Sequence, residues 1–124
     1  MEKHQAIASA NRRYEQFVLN NRTTHFANIN AAKEVWWLDL PLSKIASGVM
    51  EHINLLLFDH RKKELHHLRV PTSFLRENQD KLVTRPRKRT EEAISLELSA
   101  VNGQLFRDVR PGGTGVDFAR FRQR

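Results

Sequence analysis

Residues 53–70 read Ile-Asn-Leu-Leu-Leu-Phe-Asp-His-Arg-Lys-Lys-Glu-Leu-His-His-Leu-Arg-Val, and this stretch decides the fold. The apolar run Ile53–Phe58 has the length and composition of a buried strand. Leu65–Val70 alternates in polarity as a second strand would. The polar residues 59–64 between them are long enough to turn the chain, and Pro71 ends the second strand because it lacks a backbone N–H. The sequence therefore predicts a β-hairpin.

Two further strands are predicted on either side of the hairpin. Residues 33–40 contain Trp36 and Trp37, which a strand directs to opposite faces. One Trp is expected in the core, and the other either joins a second core layer or forms an exposed platform. Residues 91–100 alternate with a period of two, which is typical of an antiparallel or edge strand with one wet face. Its predicted core residues are Ile94, Leu96, Leu98 and Ala100, and its predicted water-facing residues are Ser95, Glu97 and Ser99.

Helical spacing of apolar residues appears in three places. Residues 5–19 carry the longest stripe, residues 43–50 suffice for one or two turns, and residues 72–82 can form a short helix capped by Thr72 or Ser73. Residues 23–32 are polar enough to be interpreted as a connection with little regular structure. The expected inward-facing residues are Ile7, Ala10, Tyr14, Phe17, Val18, Ile45, Val49, Met50, Phe74, Leu75 and Leu82.

These elements predict one α+β domain covering residues 1–124. Its order is helix, strand, strand, strand, helix, strand, with a mostly antiparallel sheet of four to five strands in a two-layer arrangement with the helices. Residues 104–109 are expected to add one short strand. Residues 110–124 are expected to form a Gly-rich loop and a basic tail, tied to the body by Val116, Phe118 and Phe121.

The charge balance is the strongest functional signal. The 124 residues include 21 Lys and Arg against 14 Asp and Glu, giving a net charge of +7. Such a field attracts polyanions, and the main expectation is nucleic acid, DNA or RNA; the alternative partner is an acidic protein. The chain has no cysteine, which excludes disulfides and thiolate chemistry. We find no membrane-spanning segment or leader pattern, so the expected location is cytoplasmic.

Two basic segments are the predicted phosphate contacts. Residues 84–90 are interpreted as an exposed basic loop stiffened by Pro86, and the hairpin turn extends the same footprint if the fold brings the two together. Guanidinium groups bind phosphate oxygens through two parallel hydrogen bonds, so Arg-rich loops suit this role. The predicted nucleic-acid-binding residues are Arg61, Lys62, Lys63, Arg85, Arg87, Lys88 and Arg89.

Four other residues are compatible with a metal-dependent nuclease. Asp59, Glu64 and His66 lie close together in the hairpin, and Asp39 ends the strand before it. The helix–strand order across residues 7–100 resembles that of the PD-(D/E)XK nucleases, which implies carboxylates holding Mg²⁺ and a Lys orienting water. In this sequence His66 stands where the family has Lys, and Asp59 precedes Glu64 by only five residues. A member of this family would therefore be degenerate or non-catalytic.

The Gly-rich segment 111–115 does not form a P-loop, because it lacks the Lys-Ser/Thr pair and a strand-to-helix context. We therefore predict a small basic nucleic-acid-binding protein, an accessory or regulatory module without catalytic residues, metal or cofactor. The alternatives are a metal-dependent nuclease and an inhibitor or interaction module that binds an acidic protein.

Overall fold

The computed structural model describes residues 1–13 and 18–124. The helices are α1 (Lys3–Arg13), α2 (Leu42–Ile45) and α3 (Thr72–Glu77), with single 3-10 turns at Gln79–Lys81 and Ala119–Phe121. The strands are β1 (Thr24–Asn28), β2 (Val35–Pro41), β3 (His52–Asp59), β4 (Glu64–Pro71), β5 (Val83–Lys88) and β6 (Glu91–Ser99).

The six strands form two three-stranded sheets. The first sheet has the order β1-β3-β4, in which β1 is parallel and β4 antiparallel to β3. The second has the order β2-β6-β5 and is antiparallel throughout. The predicted α+β class and the broad order of elements are confirmed. The expected sheet of four to five strands is instead two three-stranded sheets, because the hairpin pairs with β1, whereas β2 pairs with β6 and not with the hairpin.

The main core lies between the two sheets. Strand residues alternate between faces, so every second residue of the hairpin meets every second residue of β2 and β6. The indole Nε1 of Trp36 donates to the carbonyl oxygen of Phe58 across 3.0 Å, which ties the sheets together. The central core residues are Trp36, Leu38, Leu40, Ile53, Leu55, Leu57, Leu68, Val70, Ile94, Leu96 and Leu98.

Helix α1 covers the other face of the first sheet. Ala6 and Ala10 pack with Leu19 and Leu56, and their small side chains let the helix approach the strands closely. Of the predicted helical stripe, Tyr14 and Phe17 lie outside the described residues. Val18 follows the helix and is 80% exposed, so its predicted inward position is wrong.

Several local predictions are corrected. Residues 23–32 contain β1, whose Thr24 and Ala27 are buried against the parallel neighbour β3. Residues 84–90 are largely the edge strand β5 rather than an irregular loop. The first residues of α3 have no side-chain cap, because Thr72 donates its hydroxyl to the carbonyl of Met50 instead.

The C-terminal segment covers parts of both sheets. Residues 104–109 form isolated bridges rather than the expected strand, with Asp108 paired to Leu98. Its carboxylate accepts from the backbone N–H of Glu97 at 3.0 Å. Backbone hydrogen bonds join residues 106–109 to Glu97 and Ser99 along the end of β6. Ser95 and Ser99 are buried, so the predicted wet face is wrong at these two positions.

Candidate nucleic-acid interface

The predicted phosphate contacts fall at two opposite ends of the molecule. Strand β2 begins beside Ser99 and ends beside Ala93, so Glu34 and the β5–β6 turn lie at opposite ends of the second sheet. Arg61 of the hairpin turn contacts Glu34 at 2.9 Å. Seven strand residues separate the two ends by about 20 Å. The hairpin turn and residues 84–90 therefore do not form one continuous phosphate-binding surface.

The hairpin turn uses its arginine internally. The Arg61 guanidinium donates to Asp59 through Nε at 3.1 Å and Nη2 at 3.0 Å, and its Nη1 reaches Glu34. These hydrogen bonds hold the pKa of the buried Asp59 carboxyl below its usual range and raise the pKa of Arg61. Arg61 thus stabilises the turn, and Lys62 and Lys63 remain as its exposed cations.

The basic run at residues 85–88 has a structural role, because it lies on the edge strand β5. An edge strand exposes unpaired backbone groups, and charged residues, Pro and a bulge all discourage pairing with another chain. This strand has all three, with the register shift at Pro86 and Lys88. Arg85 is also paired, since its Nε lies 3.2 Å from Asp39 Oδ1 and this hydrogen bond lowers the pKa of Asp39.

At the β5–β6 end, the structure brings together cations that are far apart in sequence. Lys3 comes from α1, Arg22 from the turn before β1, Lys44 from α2 and Arg87 from β5; we call these four residues the basic cluster. The ammonium of Lys44 donates to the carbonyl of Arg22 at 3.1 Å and lies 3.4 Å from Nε2 of His25.

The pKa shifts in this region show that the positive charges act on one another. Burial lowers the pKa of His25 to about 4, and the charges of Lys44, Lys3 and Arg87 contribute in the same direction. Burial, then Arg87 and Arg22, lowers the pKa of Lys44, which Glu91 partly opposes.

Glu91 offsets part of this positive field. It lies 3.8 Å from Arg87 and is the anion that acts on Lys44. An anion bound at the basic cluster would relieve the repulsion among its four cations. Lys88 and Arg89 follow Arg87 directly at the β5–β6 turn and are exposed, so they extend the same surface.

The residues considered for a nuclease site do not converge. Asp59 is occupied by Arg61, while Glu64 lies 3.5 Å from His66. Asp39 belongs to the outer face of the second sheet, where it pairs with Arg85. Among residues 1–13 and 18–124, no group of three or more His, Asp and Glu side chains could hold a metal ion.

His66 and the Gly-rich loop have structural partners. His66 is buried between Trp36 and Phe106, with its ring centroid 5.6 Å and 5.2 Å from theirs. The loop is held by the backbone N–H and the hydroxyl of Thr114, which both donate to the carbonyl of Lys81. The N–H of Gly113 donates to the carbonyl of Arg110, so these two amides do not form an anion cradle.

The two tryptophans differ in exposure. Trp36 is 1% exposed in the core, whereas Trp37 is 49% exposed on the outer face of the second sheet. The ammonium of Lys33 lies 5.3 Å from the centre of the Trp37 ring. This resolves the sequence alternative for Trp37 in favour of an exposed platform.

Comparison with known proteins gives no match to a family model, to a curated protein or to a solved structure. Within the described part of the chain, no helix is long and apolar enough to cross a membrane.

Sequence reasoning missed three of the four members of the basic cluster. Arg87 lies in a visible basic run, but Lys3, Arg22 and Lys44 are isolated in sequence, and only the fold brings them to the same end of the molecule as Arg87.

Proposed function

We propose that this protein binds nucleic acid through the phosphate backbone, at the end of the molecule that carries the basic cluster. The observation that supports this proposal is the position of Lys44, whose ammonium lies 3.4 Å from His25 and 3.1 Å from the carbonyl of Arg22. Lys3 and Arg87 are close enough to help lower the pKa of His25. Phosphate contacts of this kind provide affinity and orientation without reading sequence. The net charge of +7 would add long-range attraction to a polyanion.

The hairpin-turn end is the weaker candidate. Its arginine is already paired with two carboxylates, which leaves Lys62 and Lys63 as exposed cations. The basic cluster has four cations and is continued by Lys88 and Arg89. An approaching phosphate therefore meets more uncompensated charge at the β5–β6 end.

The salt dependence of binding tests the proposal. Each phosphate contact contributes about 0.9 to the slope of log affinity against log salt on duplex DNA. The double variant Lys44→Ala with Arg87→Ala should make that slope shallower by about 1.8, as should Lys88→Ala with Arg89→Ala. Fluorescence anisotropy with a labelled random duplex at several salt concentrations measures it.

The double variant Lys62→Ala with Lys63→Ala is the matched control, because it removes two exposed cations from the opposite end. It should change the slope by less than half as much, with all variants showing the same urea unfolding midpoint. Equal effects at both ends would show that net charge rather than the basic cluster governs binding. If the wild-type protein binds neither DNA nor RNA at low salt, the proposal is wrong, and an acidic protein becomes the favoured partner.

A further inference from the structure

The outer face of the second sheet carries a groove beside Trp37. Its volume is about 330 Å³, which is within the range of small-ligand sites. Strand pairing sets its floor, because Trp37 lies opposite Glu97 and Asp39 lies opposite Ser95. The residues that line it are Lys33, Trp37, Leu38, Asp39, Arg85, Ser95, Glu97 and Arg110.

Trp37 is the feature of this groove that packing does not explain. It is the one aromatic side chain among the large hydrophobic residues that the described ranges leave exposed. About half of the Trp37 surface is exposed to water, whereas its neighbour Trp36 is buried in the core. An exposed indole offers a flat apolar surface on which another ring can stack.

The groove is polar and weakly positive around this ring. Arg85 forms an ion pair with Asp39, and Nη1 of Arg110 lies 3.4 Å from Oε2 of Glu97. Lys33 adds a third cation, so three positive charges face two negative ones. Because a guanidinium has five N–H donors, an arginine paired with one carboxylate can still donate to a phosphate oxygen.

The groove and the basic cluster are joined by one strand. Arg85 lines the groove and Arg87 belongs to the cluster, so they are two residues apart on the exposed edge strand β5. That spacing corresponds to about 7 Å of backbone. A chain of phosphates bound at the cluster can therefore continue along β5 to the groove.

From this arrangement we propose that the protein binds single-stranded nucleic acid, with one base stacked on Trp37 in the groove and the adjoining phosphates along β5 and the basic cluster. This inference rests on the proposed function and names its substrate class. Bases of a single strand are free to stack on an aromatic residue, whereas duplex bases are stacked on one another. The ammonium of Lys33 lies over the Trp37 ring, 5.3 Å from its centre. A stacked base would displace it from that face, and its long side chain could then reach the phosphate of the same nucleotide.

The test compares labelled oligothymidylate, the same oligomer with abasic sites, and a duplex. Trp37→Ala should weaken oligothymidylate binding by roughly five- to hundredfold, because one base–aromatic stack is lost. Binding of the abasic oligomer and of the duplex should change less than twofold. Trp37→Phe, which keeps a smaller ring, should recover part of the affinity. Val109→Ala removes another exposed apolar side chain and serves as the control, with unchanged binding.

Intrinsic fluorescence gives a second readout. Oligothymidylate should quench wild-type tryptophan emission, and Trp37→Phe should abolish the quenching because Trp36 is buried. Equal losses for oligothymidylate and duplex, or unchanged binding in Trp37→Ala, would overturn the stacking site while the salt slope still supports the basic cluster. Equally tight, Trp37-dependent binding of polyglutamate would also overturn it, in favour of an acidic peptide. Absence of binding to every nucleic acid would remove both proposals.

Discussion

At the residue scale, buried polar groups hold the first sheet together. His67 is 2% exposed, and its Nε2 lies 2.8 Å from Oδ1 of Asn54. The Asn54 amide nitrogen is directed to the carbonyl of Thr23, so its oxygen faces the ring and the neutral histidine donates to it. Burial lowers the pKa of His67 to about 4, with smaller contributions from Arg69 and Arg13.

This histidine makes stability depend on pH. In the unfolded chain His67 titrates near pH 6.5, whereas in the folded protein its pKa is about 4. The unfolded state therefore binds more protons between these values, so stability is full above about pH 6.5 and is lost as the pH falls towards 4. His67→Gln should reduce this slope by about 1 kcal/mol per pH unit, because the amide does not titrate in this window.

Urea unfolding at pH 7, 5.5 and 4.5 measures the slope in both proteins. His25 also has its pKa lowered to about 4, so part of the acid sensitivity should remain in the variant. Identical slopes for the wild type and His67→Gln would show that His67 is not held neutral by burial.

At the element scale, the sequence predicted the elements whose apolar residues follow one clear period. The hairpin, β2 and β6 are dense in apolar residues, and the structure confirms them. Strand β1 was missed because its sequence, Thr-His-Phe-Ala-Asn, mixes polar and apolar residues, and only its pairing with β3 makes it a strand. Strand β5 was missed because its exposed, Arg-rich residues look like a loop, although they pair with β6.

The C-terminal segment contains no long strand, but it packs against the rest of the fold. Phe118 is fully buried, with its ring centroid 5.5 Å from that of Phe74. Near the end of the chain, the N–H of Gln123 donates to the carbonyl of His67 on β4. The predicted attachment of the tail through Phe118 is therefore confirmed.

Phe118→Ala should lower the free energy of unfolding by about 3–5 kcal/mol, because a large buried ring leaves a cavity that the sheets cannot fill. Phe121→Ala, at a half-buried neighbouring position, should cost less than half as much. Urea unfolding at neutral pH measures both. A loss below about 0.5 kcal/mol for Phe118→Ala, the size typical of exposed positions, would contradict the packing of this segment.

At the scale of the whole molecule, the candidate phosphate-binding cations lie at two opposite ends, with Lys62 and Lys63 at the hairpin turn and the basic cluster at the β5–β6 end. Composition alone predicted a polyanion partner, and the basic run at residues 85–89 predicted one part of the surface. The sequence could not show that Arg61 reaches Glu34 or that Arg85 pairs with Asp39, because these partners are distant along the chain. Nor could it place Lys44 beside Arg87, or Lys3 near Lys44.

The most direct test of the basic cluster is to map the bound surface by NMR. Uniformly ¹⁵N-labelled protein is titrated with a short oligothymidylate at low salt, and the backbone amide shifts are followed. The proposed interface predicts the largest shifts at Arg22, Lys44 and residues 87–89, with residues 61–63 at the opposite end nearly unchanged. Shifts concentrated at residues 61–63, or shifts of equal size at both ends, would contradict it.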